Sequence, residues 1–209
     1  MKNFDNSYLN YTIKLIAGID EAGRGPLAGP VVAASVIFAP LVYIPGVNDS
    51  KLLTESKRET LFEEIISKAL AYKVSVVSHK KIDKINILNA TLLAMRNSVK
   101  KLAIQPDLIL VDGNRSFKYN IPVIPIVKGD SKSFSIAAAS ILAKVTRDRI
   151  MKKHSKSFPE YHWEKNKGYP TRQHIDVIKL IGPSPLHRKT FLSRILDGKL
   201  QTKPSLQMV

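Results

Sequence analysis

Three apolar runs in this 209-residue chain end in acidic residues, and no other feature restricts the possible folds as strongly. Residues 13–19 run into Asp20 and Glu21, residues 108–111 into Asp112, and residues 123–128 into Asp130. Continuous apolar runs bounded by Gly, Pro and Asn are the pattern of strands covered on both faces, so 108–111 and 123–127 should be central in a sheet. Strands that give out in carboxylates would deliver four acids to one place. Singly, Asp112 also fits a turn with Gly113 and Asn114, Asp130 a helix cap, and Glu21 a solvated position. Asp20 fits such a role least, because it follows the strand directly and precedes a second acid.

The rest of the chain sharpens that contrast. It carries 33 Lys and Arg against 17 Asp and Glu, a formal charge of +16, which raises the local concentration of polyanions. A solvated basic surface would explain the charge alone; charge together with clustered acids points to an enzyme acting on nucleic acid phosphates. There is no cysteine, so disulfides, thiolate metal sites and cysteine nucleophiles are excluded and any metal must be held by oxygen or histidine. The five histidines show no pairing at helical spacing. No apolar run approaches the roughly 20 residues that span a bilayer, and the polar start lacks the apolar core of a signal peptide. A cytoplasmic location is the expectation.

Periodicity predicts strands at 13–19, 31–38 and 72–78 and a helix over 54–70 capped by Thr54, with apolar Leu61, Phe62, Ile65, Ile66 and Ala69 on one face. A second helix spans about 86–103, a long one 131–154, and two short ones 171–180, capped by Thr171, and 191–196. Residues 158–170 read as aromatic loop and 199–209 as a frayed tail. Strands and helices in this order give a mixed α/β sheet with helices on both faces. With no repeat or linker, 13–197 forms one domain, preceded by an extension over 1–12 and followed by a flexible tail over 198–209.

Magnesium takes oxygen ligands and keeps several waters, so one or two carboxylates per ion suffice and four acids can serve two ions. Two ions about 3.5–4 Å apart can flank a phosphodiester without any protein nucleophile. The pair Gly23-Arg24-Gly25 lets the backbone approach a ligand while Arg24 engages phosphate, though a tight turn is an equal account. Its glycine spacing, Gly23, Gly25 and Gly29, is too long for a dinucleotide fingerprint. Tyr161, Trp163 and Tyr169 interleave with His162, Lys165 and Lys167, fitting either a stacking platform or an aromatic cluster under a loop.

Residues 18–31, Gly-Ile-Asp-Glu-Ala-Gly-Arg-Gly-Pro-Leu-Ala-Gly-Pro-Val, closely resemble the bacterial ribonuclease HII family. The likeness continues in order through Asp49-Ser50-Lys51-Leu52-Leu53, Val111-Asp112-Gly113-Asn114, Lys128-Gly129-Asp130, residues 135–148, Lys167-Gly168-Tyr169-Pro170-Thr171 and His187-Arg188, covering about residues 13–197. Thr190 stands where the family often has Ser, and Pro170 where Gly is common. The resemblance implies a ribonuclease H-like fold, a central mixed five-stranded sheet flanked by helices, with a small C-terminal helical part. It implies Asp20, Glu21, Asp112 and Asp130 as catalytic metal ligands, with Asp20 bridging two Mg²⁺ or Mn²⁺ ions. Gly23, Arg24 and Gly25 would contact the ribonucleotide through its 2′-hydroxyl and phosphate, and Tyr169 would pack at the RNA–DNA junction. Lys128, Lys132, Ser133 and Lys144 would contact phosphates.

The implied activity is endonucleolytic: hydrolysis of the RNA strand of RNA–DNA hybrids and incision 5′ of ribonucleotides embedded in DNA duplexes, leaving 5′-phosphate and 3′-hydroxyl ends. The enzyme would act as a monomer, with no membrane partner. A non-catalytic binding protein would explain the charge but not the acids, and a resolvase would cut branched DNA lacking ribose. The type III ribonuclease H carries an additional N-terminal domain, for which about twelve residues before the first strand leave no room.

Overall fold

Asp20 and Glu21 lie inside a strand, not beyond its end. A computed structural model describes residues 1–196, and in it β1 runs Ile16–Ala22. Its start is displaced because the Asn10 carboxamide accepts from the Thr12 and Ile13 amides and Asp107 accepts from Lys14 and Leu15, which bends residues 10–15 out of the sheet. Beside β1 runs β2, Val31–Ile37, antiparallel, with Asp20 opposite Ala34 and Glu21 opposite Ala33. An antiparallel β3, Ala71–Val77, follows β2. On the other side β4, Leu108–Asp112, and then β5, Val123–Ile126, run parallel to β1, giving the order β3-β2-β1-β4-β5.

β4 is interior, as its apolar run predicts, but β5 is an edge strand. Pro125 lacks the N–H that a second neighbour would need, which explains the difference. Along β2 the side chains alternate between two cores. Val32, Ala34 and Val36 meet α2 (Glu55–Lys68) and α6 (Phe134–Ser155) on one face. Val31, Ala33 and Ile37 meet α3 (His79–Ile85) and α4 (Ile87–Lys100) on the other. Helix α3 has no counterpart in the sequence reading; the Ser78 hydroxyl caps it, accepting from the Lys81 amide.

The expected helix over 131–154 is two. A turn, α5, spans Gly129–Lys132, and Ser133 then adopts an extended conformation and caps α6 by accepting from the Ile136 amide. α6 lies directly on β1 because Gly18 has no side chain; a Cβ there would sit 2.1 Å from the Ser135 carbonyl carbon. The start of the chain forms a short helix, α1 (Lys2–Asn6), whose buried Asp5 Oδ2 accepts from both the amide and the hydroxyl of Ser135 at 2.8 Å. Residues 158–170, expected as loop, contain a 3₁₀ turn over Pro159–Tyr161 and α7, Trp163–Asn166. Helices α8 (Arg172–Ile181, capped by Thr171) and α9 (Lys189–Leu196) complete a satellite core around Trp163, with Tyr161 stacked on it. The proposed tail over 198–209 lies outside the described residues. Among the described residues no helix is long and apolar enough to cross a membrane.

Candidate metal centre

The parallel pairing of β1 with β4 sets Ile19 beside Val111, so the residues that follow, Asp20 and Asp112, emerge as neighbours. Asp130 arrives from α5. One carboxylate oxygen from each of Asp20, Asp112 and Asp130 lies within 4.8 Å of the others. Asp112 Oδ1 accepts from the Gly129 amide at 2.7 Å and, more weakly, from Asp130 at 3.4 Å, which ties the α5 turn to the end of β4. Glu21 stands beside this triad and accepts from the Arg24 guanidinium at 3.3 Å.

These acids are held at an electrostatic cost. Burial pushes the Asp20 carboxyl well above the usual range, and Glu21 and Asp112 push it further; hydrogen bonds from Ser140 and the Glu21 amide only partly oppose this. Burial likewise raises Asp112, with Asp130 adding to it, and raises Glu21 against the pull of Arg24. Closely set carboxylates of this kind favour a cation between them. All the donors are hard oxygens, which suits Mg²⁺ or Mn²⁺. A partial countercharge is already present: Lys51 Nζ donates to Asp130 at 3.0 Å, and despite some desolvation that bond raises its pKa. Ser50, next to it, hydrogen-bonds Ser140 at 2.9 Å.

A recess of about 220 Å³ opens beside the acids, lined on its far side by Gly23, Arg24, Gly25, Lys144 and Tyr169. The loop that forms this wall is set by two fully buried arginines that have no carboxylate partner among the described residues. Arg188 donates to the carbonyls of Gly29 at 3.0 Å, Arg24 at 2.9 Å, Gly23 at 2.7 Å and Pro30 at 3.1 Å. Arg147 donates to Pro30 at 3.0 Å, Ala28 at 3.2 Å and Lys167 at 3.0 Å. In a planar trans peptide the N–H points opposite to the carbonyl before it. With the Gly23 and Arg24 carbonyls turned toward Arg188, the Arg24 and Gly25 amides face away from it, on the side of the recess. Gly23 has φ +97°, and a Cβ there would meet the Arg147 side chain at 2.1 Å, so only glycine lets the guanidinium in.

Tyr169 is half-exposed, its ring against Gly25 and within 6 Å of the Lys144 ammonium and the Arg147 guanidinium. A buried relay fixes its backbone. The Ser184 amide donates to His187 Nδ1, which puts the His187 proton on Nε2, facing His174 Nε2 at 3.1 Å; Trp163 donates to that same atom. His174 therefore carries its proton on Nδ1 and donates to the Tyr169 carbonyl at 2.9 Å. Burial, with the His174 ring adding to it, brings His187 down to about 4.

The predicted residues thus divide. Asp20, Asp112 and Asp130 come together, with Glu21, Arg24, Gly25, Lys144 and Tyr169 around them. Lys128, in a left-handed conformation, and Lys132 are exposed on the α5 turn outside the recess. Ser133 is fully buried as a helix cap and has no surface to offer a phosphate, contrary to expectation. Of the aromatic trio, Tyr161 and Trp163 are core and Tyr169 alone borders the recess. Nothing in the sequence marks Lys51, Ser50, Ser140, Arg147 or Arg188 for these roles, which depend on contacts between segments distant in the chain.

The family model for Ribonuclease HII matches residues 17–194. The ribonuclease HII of Endomicrobium trichonymphae is 53% identical over 204 residues, 96% of this chain and 96% of that one. The ribonuclease HII of Caldanaerobacter subterraneus is 50% identical over 198 residues, 95% of this chain and 82% of that one. Among solved structures, ribonuclease H2 from Pyrococcus horikoshii OT3 aligns with TM-score 0.74 and 32% identity over 88% of this chain and 98% of its own. Bst-RNase HIII in complex with Mn²⁺ aligns with TM-score 0.66 over 91% of this chain and 70% of its own; at 18% identity it shows the fold alone.

Proposed function

The chain belongs to the ribonuclease HII family and is a ribonuclease H with that family's fold, and from this premise we propose that it incises DNA duplexes 5′ of embedded ribonucleotides as well as cutting the RNA strand of hybrids. The products carry 5′-phosphate and 3′-hydroxyl ends. The observation that carries this reading is the pairing of a three-aspartate centre with a loop that walls the same recess and whose Gly23 and Arg24 carbonyls turn away from it to Arg188. Asp20, Asp112 and Asp130 are the residues that would hold the divalent ions, with Glu21 completing the acidic set. Bound Mg²⁺, or Mn²⁺ as a substitute, neutralises the scissile phosphate and activates the attacking water.

The protein's own groups bind and orient. The Arg24 and Gly25 amides and the Arg24 guanidinium grip the ribonucleotide's phosphate and 2′-hydroxyl, the only group that separates RNA from DNA at that position. Tyr169 packs against the deoxyribose that follows. Lys144 supports Tyr169 and a neighbouring phosphate; Lys51 offsets Asp130 until ions arrive. Lys128 and Lys132 are left as outer phosphate contacts. The enzyme acts as a cytoplasmic monomer of one catalytic domain.

The test is cleavage of a labelled DNA duplex with one ribonucleotide, in Mg²⁺, in Mn²⁺ and in chelator, beside an all-DNA control. Metal-dependent cutting 5′ of the ribonucleotide with the control intact is the expected result; a cut control would make the substrate class wrong. Tyr169→Ala should lower cutting at a single ribonucleotide more than cutting of a continuous hybrid, and equal losses would reduce Tyr169 to packing.

A further inference from the structure

The excess positive charge is not spread evenly. On the α2–α6 face acids answer several of the exposed cations: Arg149 pairs with Glu59 and Glu63, Lys152 with Glu55, and Lys68 with Glu64, although Lys57 and Lys153 stand exposed without such a pair among the described residues. Across the molecule, residues 79–101 hold six Lys or Arg and one acid, Asp83, whose carboxylate is occupied by the Lys189 and Thr190 amides at the start of α9. There Lys81, Arg96, Arg115 and Lys118 are exposed, and among the described residues none lies within 4 Å of a carboxylate.

Three of these four unpaired cations border one groove. Lys81 from α3, Arg96 from α4 and Lys118 from the segment after β4 rim a trough of about 570 Å³ floored by Leu92, Leu93 and Phe117, with no acid in its lining. Shared lining residues link this trough to the metal centre. A smaller recess lies between them and shares Leu92 with the trough and Glu21, Arg24 and Asp112 with the active-site pocket; Arg115 borders it.

The geometry points to this trough as a second phosphate-binding surface, which takes the backbone of the same duplex beyond the cut. This rests on the proposed function and extends it. A cationic rim without acids attracts a polyanion and repels no part of it, while the apolar floor accepts the stems of long side chains and the faces of sugars. Crossing α4 takes about 10–12 Å, and a strand advances about 3.4 Å per nucleotide. The contacted phosphates therefore lie roughly three to four nucleotides from the scissile bond.

Two DNA duplexes test this, each carrying one ribonucleotide and blunt-ended on the trough side with about one or about twelve base pairs of flank there, short enough to miss or long enough to reach the trough. Affinity is measured by fluorescence anisotropy in chelator over a salt series. Wild-type protein should bind the long duplex more tightly. In the Arg96→Glu/Lys118→Glu variant the long-to-short affinity ratio should fall about tenfold or more, and the slope of log affinity against log salt on the long duplex should shrink by about 2, near 0.9 per lost phosphate contact. The Arg96→Gln/Lys118→Gln variant should lie between and decides the matter if the acidic pair does not fold by circular dichroism. An unchanged ratio and slope in the folded variant would overturn the proposal and leave the trough to another partner, such as an acidic protein. Ribonucleotide-specific cutting by wild type separates the two claims: if it fails, the functional reading falls; if it holds while the ratio is unmoved, only the trough does.

Discussion

Two buried clusters of charge face each other across the Gly-Arg-Gly loop, and they solve the burial problem in opposite ways. Arg147 and Arg188 are cations without a carboxylate, yet their donors end on backbone carbonyls; burial, with the other guanidinium adding to it, brings Arg188 down to about 9. Asp20 and Asp112, with Asp130 beside them, are anions set next to anions and relieved only in part, by Lys51 and a few amides. Burying a charge is tolerable when hydrogen bonds replace its hydration. The arginine cluster is complete as folded and acts as scaffold. The aspartate cluster keeps the mutual repulsion of its carboxylates, which a cation placed between them would relieve.

The widest divergence should appear when one member is removed from each. Asp112→Asn should lower cleavage at least about 10³-fold, roughly 4 kcal/mol of barrier, while leaving thermal stability unchanged or higher because a repelling charge has gone. Full turnover by that variant would remove Asp112 from the metal set. Arg188→Gln should do the reverse, costing about 3–5 kcal/mol in denaturant unfolding because carbonyls at Gly23, Arg24, Gly29 and Pro30 lose their donor. A melting curve that did not move would mean that water substitutes for the guanidinium and that the loop needs no scaffold.

Acid should pull the two regions apart more gently. His187 titrates near 4 in the folded protein against 6.5 ordinarily, so the unfolded chain takes up a proton that the folded chain refuses. The stability this contributes is whole above pH 6.5 and is lost as the pH falls toward 4, by roughly 3 kcal/mol. The metal-centre carboxyls, raised by burial and mutual repulsion, respond with the opposite sign: their contribution is present at low pH and lost as pH rises. Melting from pH 7 to 4 should therefore be steeper in Asp112→Asn than in wild type, and parallel curves would argue against the acids' coupling. The smallest effect is expected at Asp5, a buried carboxylate that does have donors: Asp5→Ala should cost about 1–2 kcal/mol, as loss of a helix cap does, with cleavage otherwise retained. Stability unchanged within error would make α1 a passive attachment.

The aspartates were legible because hydrophobic runs that give out in an acid leave a local mark in the sequence, although only Asp112 ends its strand, Asp20 lying within β1 and Asp130 on α5. Thr54 and Thr171 were legible as caps for the same reason. Arg147 and Arg188 left no such mark. In sequence Arg147 sits in the charged half of a helix and Arg188 beside a histidine, and their carbonyl partners lie between 20 and 165 residues away. Ser133 was misassigned because a cap and a phosphate ligand share one residue type, and only burial tells them apart. β5 was placed at the centre from its hydrophobicity alone, although Pro125 already argued for an edge.

The Arg188 contacts also order events in time. Synthesis releases Asp20 and the Gly-Arg-Gly loop early, whereas the residue that turns the loop's carbonyls inward emerges long after the sheet has all its strands. A nascent chain can thus bring its carboxylates together well before it can shape the loop that walls the recess beside them.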